Sequence, residues 1–112
     1  MKKTKLGEFE EFVLLTVVML RDNAYGVEIK RDLERRLSNR LSVGSIQSAL
    51  KRMEEKGFLT SEFGEATKVR GGKRKRIYTA TPLAHKVLAE LKEIRAGLWA
   101  AMPSPALNYN IS

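Results

Sequence analysis

Apolar side chains recur at intervals of three and four residues in four stretches of the chain, and this spacing predicts four α-helices. The first stretch, residues 8–21, is apolar nearly all round, which is typical of a buried helix. The second, residues 27–37, is amphipathic, with isoleucine and leucine on one side and charged residues around the rest. The third and fourth cover residues 43–56 and 83–102. Turn-forming residues separate the stretches, so each is expected to be a distinct helix.

Capping residues mark the ends of the last two predicted helices. Ser42 is placed to accept a hydrogen bond from the first turn of the third helix, and Gly57 follows that helix as a residue suited to positive φ. Thr81 and Pro82 have the same relation to the start of the fourth helix, with the proline at its first position. These two helices therefore have predicted boundaries as well as a predicted periodicity.

Two stretches with partial two-residue alternation, 58–63 and 76–81, predict a pair of strands. The glycines between them predict a hairpin with a long tip, and a further short strand is predicted at 41–43. The order helix, helix, helix, hairpin, helix predicts a fold that is mainly α with a small β-hairpin. We interpret it as a winged helix-turn-helix followed by a C-terminal dimerisation helix.

The third helix has an apolar and a polar side when its residues are placed at about 100° intervals. Residues expected to face the core are Val43, Ile46, Ala49, Leu50, Met53 and Gly57. The opposite side is small and polar at its beginning and basic in its middle, and consists of Gly44, Ser45, Ser48, Lys51, Arg52 and Glu55, with Gln47 and Glu54 on one flank. Recognition helices present such residues to the base edges of DNA. Taken alone, the pattern also fits a helix whose outer side is simply solvated.

The charge balance favours a polyanionic partner, because 21 Lys and Arg face 13 Asp and Glu, for a formal net charge of +8. Six cations lie close together in the predicted hairpin without an acid among them: Lys68, Arg70, Lys73, Arg74, Lys75 and Arg76. Such cations displace counterions from DNA phosphates, and the two adjacent glycines among them let the backbone approach closely. A solvated charge run is the alternative, but its position after a recognition-type helix favours double-stranded DNA.

The fourth helix carries an apolar seam with coiled-coil spacing, formed by Ala84, Val87, Leu91, Ile94, Leu98 and Ala101. Val87, Leu91, Ile94 and Leu98 are predicted contacts between two copies of the chain, while packing on the first helix is the alternative for part of the seam. A two-fold dimer would hold its recognition helices about 34 Å apart and favours a pseudo-palindromic DNA site. Trp99 at the seam's edge is a candidate for a pocket for a small aromatic ligand, with simple packing as the alternative.

The predicted organisation is a winged-helix domain over residues 1–81, a dimerisation helix over 82–102 and a flexible tail over 103–112. The chain has no cysteine and one histidine, His85, with no paired carboxylates or glycine-rich phosphate loop near it. Neither an enzyme nor a metal or cofactor site is therefore expected. The apolar run at 12–20 is far shorter than the ~20 residues that span a bilayer. A cytoplasmic protein without membrane contact is expected.

Four segments together resemble the PadR family of bacterial transcriptional regulators: LGEFEEFVLLTVV, DNAYGVEIKRDLE, GSIQSALKRMEEKGFLTS and GGKRKRIYTATPLA. The likeness runs from Leu6 to about Leu91, and the single C-terminal helix is similar to the short branch of that family. The resemblance implies a homodimer that represses nearby genes and leaves DNA when a small, often aromatic effector binds. Some members stack such compounds on a tryptophan in the dimer helix, where this chain has Trp99.

The same resemblance places Tyr25 at the tyrosine that opens the second helix, either as a phosphate contact or buried against the wing. Gln47 and Ser48 depart from the aromatic residue and the proline that are common in the family at these positions. The operator sequence of relatives is therefore not expected to carry over to this chain.

These patterns predict a sequence-specific DNA-binding transcriptional regulator, acting as a homodimeric repressor that a small-molecule effector releases. Because winged helices also mediate assembly, the alternative is a protein-interaction module without specific DNA binding. An RNA-binding role is disfavoured, since the sequence lacks the exposed aromatic platforms typical of single-strand readers.

Overall fold

Four α-helices and one antiparallel hairpin form the part of the chain that the computed structural model describes, residues 6–64 and 75–103. In chain order the elements are α1 (Glu8–Leu20), a single 3-10 turn (Arg21–Asn23), α2 (Gly26–Leu37), α3 (Val43–Glu55), β1 (Leu59–Phe63), β2 (Arg76–Ala80) and α4 (Pro82–Ala101). This order confirms the predicted winged helix-turn-helix with one further helix after it. The predicted tail lies outside the described residues from position 104 onward.

The hydrophobic core lies between α1, α2 and α3, and the hairpin closes one side of it. Leu14 of α1, Ile29 of α2 and Leu50 of α3 are fully buried, and Phe58 and Leu59 join the same cluster from the start of the hairpin. Each such side chain stabilises the fold by roughly 1.5–3 kcal/mol relative to its exposed state. The core therefore holds α3 firmly in place, with its polar side turned outward.

The two ends of α3 are closed by the residues that the sequence predicts. The Ser45 N–H donates to Ser42 Oγ at 3.0 Å, which satisfies one of the unpaired donors of the first turn. At the other end Gly57 has a φ of 86°. The Phe58 N–H then donates back to the Met53 carbonyl at 2.8 Å, as in a Schellman motif. Positive φ at Gly57 thus turns the chain directly from the helix into β1.

The hairpin is tied to the start of α2 as well as to its own partner strand. Phe63 lies opposite Arg76 at the open end of the β1–β2 ladder. Tyr25, which precedes α2, forms an isolated antiparallel bridge with Ile77 of β2. The wing strands therefore sit at the N-terminal end of α2, on the side of the fold from which α3 presents its polar residues.

The predicted strand at 41–43 is wrong. The Leu41 N–H donates to a Glu34 carboxylate oxygen at 2.8 Å, and Val43 already belongs to α3, so the link is held by a side chain rather than by a strand partner. Val43 is also 61% exposed instead of facing the core, because it is the first residue of α3 and lies one turn before the buried Ile46. Gly57, also expected to face the core, is exposed because it lies beyond the end of α3.

The expectation that α1 is buried all round is also wrong, since Leu15 and Met19 are 46% and 43% exposed. The helix ends at Leu20 because Arg21 has a φ of 52°, outside the helical region. All the other predicted helix and strand ends agree with the observed ones to within one residue.

The fourth helix packs on the core only along its first half. The Ala84 N–H donates to Thr81 Oγ1 at 3.2 Å, which confirms the predicted cap, and Ala84 is fully buried. Val87 packs against the edge of the core. Farther along, Arg95 Nη2 donates to Glu11 Oε1 at 2.6 Å and fastens the middle of α4 to the first turn of α1.

Candidate nucleic-acid interface

The outward side of α3 has the composition that the periodicity predicts. Its exposed positions are Gly44, Ser45, Gln47, Ser48, Lys51, Arg52 and Glu55. The inward positions Ile46, Ala49, Leu50 and Met53 are buried, each with 1% exposure or less. Small and polar side chains near the N-terminal end leave room for a close approach by another surface, and their hydroxyl and amide groups can both donate and accept hydrogen bonds.

The structure brings this side of α3 together with the base of the wing. One groove of about 320 Å³ is lined by Gln47, Ser48, Lys51 and Glu54 of α3 and by Arg76 and Tyr78 of β2, with Glu54 as the acid among these lining residues. Residues almost thirty positions apart in the sequence therefore form one polar and basic surface. We call this surface the α3–wing groove.

The cations of the predicted hairpin tip are described only in part. Lys75 and Arg76 are exposed at the start of β2. Lys68, Arg70, Lys73 and Arg74 lie outside the described residues, so their contribution to the surface remains a prediction.

Tyr25 lies between α2 and the wing, and its placement agrees with burial against the wing. The residue is partly buried, and the Lys75 ammonium lies 4.9 Å from the centroid of its ring. Its proposed role as a phosphate contact stays a prediction. The next residue, Gly26, lies so close to Gln47 that a Cβ there would be 3.0 Å from the Gln47 amide nitrogen. A side chain at position 26 would therefore require the Gln47 amide to shift by a few tenths of an ångström.

Arg52 has a structural partner that sequence reasoning missed. Its Nε donates to Glu10 Oε2 at 2.7 Å, and Lys56 Nζ lies 3.1 Å from Glu10 Oε1. Burial alone would raise the pKa of Glu10, but hydrogen bonds from Arg52, the Gly7 N–H and Lys56 hold it below its ordinary value. Glu10 therefore stays ionised and fixes α3 to the first turn of α1. Because half of the Arg52 side chain remains exposed, its predicted DNA contact stays open.

A second set of residues, which the sequence did not single out, holds Arg76. Arg76 Nη1 donates to Ser61 Oγ at 2.8 Å, and Ser61 Oγ donates to Glu54 Oε2 at 2.8 Å. The Arg76 guanidinium also lies 4.5 Å from the centroid of the Phe63 ring. Strand alternation alone does not reveal this set, because the long segment between β1 and β2 hides which residues face each other across the hairpin.

Tyr78 also lines the groove and is 6% exposed. Burial raises the pKa of its phenol, while Arg76 lowers it and Glu54 raises it. The phenol therefore remains neutral at physiological pH and adds no charge to the groove.

The predicted dimer seam divides at the middle of α4. Val87 and Leu91 are partly buried within the single chain, whereas Ile94 and Leu98 are 58% and 66% exposed. Trp99 is 62% exposed beside them. The alternative of packing on the first helix thus applies to the first half of the seam, and the second half is left without a cover in a single copy.

Two further features of the described part of the chain concern metal ions and membranes. There, the acidic residues and the single histidine form no group of three or more that could hold a metal ion. Within residues 6–64 and 75–103, no helix has the length and apolar character needed to cross a membrane.

The comparisons with known proteins agree with the fold. The model of the transcriptional regulator PadR-like family matches residues 14–90. A PadR-like transcription factor from Bacteroides fragilis is similar in structure, with a TM-score of 0.68 at 21% identity over 80% of this chain and 82% of that one. A PadR family regulator from Clostridium difficile R20291 has a TM-score of 0.62 at 26% identity, covering 82% of this chain and 93% of that one.

A third similar structure, a PadR family regulator from Eggerthella lenta, has a TM-score of 0.65 at 24% identity, covering 92% of this chain and 88% of that one. No protein with a curated description matches the chain significantly. The family model nevertheless covers well over half of the sequence, and it includes α2, α3 and both strands of the wing. The protein therefore belongs to the PadR-like family, whose members are transcriptional regulators and not enzymes.

Proposed function

We propose that this regulator binds double-stranded DNA sequence-specifically as a homodimer, represses transcription, and leaves the DNA when a small aromatic effector binds near Trp99. The α3–wing groove is the observation that carries this proposal. It joins a surface suited to reading bases and a cation suited to binding phosphates, within one rigid unit.

The reading surface is supported by the chemistry of the exposed side of α3. Gln47 can donate and accept at once, which suits the paired donor and acceptor of an adenine edge in the major groove. Ser45 and Ser48 are small enough to let the helix approach closely. Lys51 lies farther along the same side, where it can contact a base or a phosphate.

The wing supplies the part of the affinity that does not depend on sequence. Lys75 and Arg76 are exposed beside the groove, and four further cations follow from the sequence in the segment between the strands. Each phosphate neutralised by such a cation releases counterions, so binding becomes strongly dependent on salt. Phosphate contacts of this kind fix the register in which α3 meets the bases.

The homodimer is supported by the uncovered second half of α4. Ile94 and Leu98 each leave more than half of their surface in water in a single copy. The two residues are four positions apart in α4 and therefore project from the same side of it, while the contact between Arg95 and Glu11 fixes α4 against α1. Self-pairing of the same stretch in two copies would bury them and relate the two reading surfaces by a two-fold axis.

The effector and the repressor role rest on Trp99 and on the family to which the chain belongs. The exposed Trp99 indole offers a flat apolar surface on which a planar aromatic compound could stack. Quenching of its fluorescence by a panel of planar aromatic compounds tests this part, and the bound compound is expected to weaken DNA binding. If no compound quenches the fluorescence, the effector part of the proposal is wrong.

Selection of bound fragments from random duplex DNA tests the DNA part of the proposal. The expected product is a pseudo-palindrome whose half-sites lie about 10 base pairs apart. Gln47→Ala should relax the preference at individual base pairs by roughly 1–3 kcal/mol, whereas Lys92→Ala on α4 should leave the selected sequence unchanged. If no sequence is enriched and no duplex is bound at low salt, the interaction-module alternative is favoured instead.

A further inference from the structure

We infer that Ser61 is a positioning residue of the DNA-binding surface, which holds Arg76 over a backbone phosphate at the junction of α3 and the wing. The observation is the chain of contacts from Glu54 through Ser61 to Arg76, with Phe63 beneath the guanidinium. The inference rests on the proposed function, since the phosphate belongs to the bound DNA.

The direction of the two hydrogen bonds follows from the groups involved. A serine hydroxyl has one proton and two lone pairs. Ser61 gives its proton to the Glu54 carboxylate, which can only accept, and its lone pairs are then available to the Arg76 N–H. Glu54 therefore orients the Ser61 hydroxyl so that it accepts from Arg76.

These contacts join three elements of the fold. Glu54 lies in the last turn of α3, Ser61 is in the middle of β1, and Arg76 begins β2. The reading helix and the wing cation are thereby held at a fixed separation. Without the central hydroxyl, Arg76 would keep its charge but lose its defined direction.

The held conformation leaves Arg76 able to bind an anion. A guanidinium has five N–H donors, and the bond to Ser61 uses one of them. The Arg76 guanidinium carbon lies over the Phe63 ring, 4.5 Å from its centroid, and the remaining donors point outward in the guanidinium plane. Arg76 is exposed and borders the α3–wing groove, where a backbone phosphate of the bound DNA would lie.

The test is the affinity of the full chain for a fluorescein-labelled random-sequence duplex of about three helical turns, measured by anisotropy over a series of salt concentrations. Ser61→Ala is expected to weaken binding about three- to tenfold, as for the loss of one well-placed hydrogen bond. The plot of log affinity against log salt concentration should become less steep by up to about 0.9, which is the contribution of one phosphate contact to its slope. Ser61→Thr keeps the hydroxyl and should restore both values.

A control separates positioning from loss of hairpin stability. Thr60 lies next to Ser61 but on the opposite, exposed face of β1, so Thr60→Val removes a hydroxyl without touching Arg76. This variant should bind as the unsubstituted protein does. In an Arg76→Ala background, Ser61→Ala should have no further effect on affinity, because the residue that it positions is already gone.

The possible failures are distinguishable. If the unsubstituted protein binds no duplex, the proposed function falls and this inference with it. If it binds, and Ser61→Ala binds equally well or weakens binding by the same factor in the Arg76→Ala background, this inference alone is overturned. Arg76→Lys, a change at an exposed position that keeps the charge but not the planar fork, should weaken binding as Ser61→Ala does.

Discussion

Replacing Glu10 with glutamine should destabilise the fold far more than the same change at the exposed Glu8 of the same turn. Glu10 is 5% exposed, and it accepts hydrogen bonds from Arg52, Lys56 and the Gly7 N–H. Hydrogen bonds to charged groups contribute about 1.5–3 kcal/mol each. Because Arg52 is half exposed and Lys56 about one-third exposed, both regain water when the charge is lost. We therefore expect a loss of about 2–3 kcal/mol in the free energy of unfolding.

Thermal unfolding followed by circular dichroism measures this loss, at one protein concentration because dimerisation also stabilises the folded chain. A loss of this size should lower Tm by on the order of 10 °C. Glu8→Gln is the matched control, since Glu8 lies in the same turn but is exposed, and its effect should stay within about 0.5 kcal/mol. Equal Tm values for the two variants would refute the anchoring role of Glu10.

The pH dependence of stability provides an independent readout of the same group. The folded-state pKa of Glu10 lies below the ordinary value of 4.5, so its stabilisation is fully present above that value. It is lost as the pH falls from about 4.5 towards the lower folded-state pKa. The difference in stability between the unsubstituted protein and Glu10→Gln should therefore shrink across this range. A constant difference would contradict the argument.

Three further predictions concern other parts of the molecule. Leu98→Asp should yield a monomer in sedimentation experiments, because the dimer would bury an unpaired charge. Ala96→Asp, on the opposite side of α4, should remain a dimer. If both variants sediment as dimers, the assignment of the seam as the dimer interface is contradicted. Gly57→Ala should lower the free energy of unfolding in urea by about 1 kcal/mol, because alanine is strained at a φ of 86°. The added methyl would meet only Leu83 Cδ2, at an ordinary 3.8 Å, so crowding adds nothing. An unchanged urea midpoint would contradict the backbone strain. Lys75→Ala should weaken binding to all duplexes alike and lower the salt slope by about one; an unchanged slope would contradict a phosphate contact.

The parts of the fold that could be predicted from the sequence depend on local signals. Helix periodicity, the Ser42 and Thr81 caps and Gly57 each act within a few residues, and the structure places all of them as expected. The error at 41–43 arose because Leu41 is paired by the Glu34 carboxylate, a contact across seven residues that no propensity encodes. The exposed Leu15 escaped prediction because periodicity does not tell how many neighbours surround a helix.

The candidate site divides in the same way. The polar side of α3 follows from its own periodicity, and its neighbour Arg76 follows from the run of cations. The hydrogen-bond partners of these residues could not be predicted from the sequence, because Glu10 and Arg52 are 42 positions apart and Ser61 and Arg76 are 15 positions apart. Such pairs depend on the packing of elements, and one serine among many gives no signal by itself.

The most direct test of the central claim compares two labelled duplexes of equal length, one with the selected pseudo-palindrome and one with its bases shuffled. We predict that the protein binds the first at least about a thousandfold more tightly near physiological salt. We also predict that both affinities fall steeply between about 50 and 200 mM salt. Equal affinity for the two duplexes, or no binding to either at low salt, would contradict the assignment of the α3–wing groove as a DNA-reading surface.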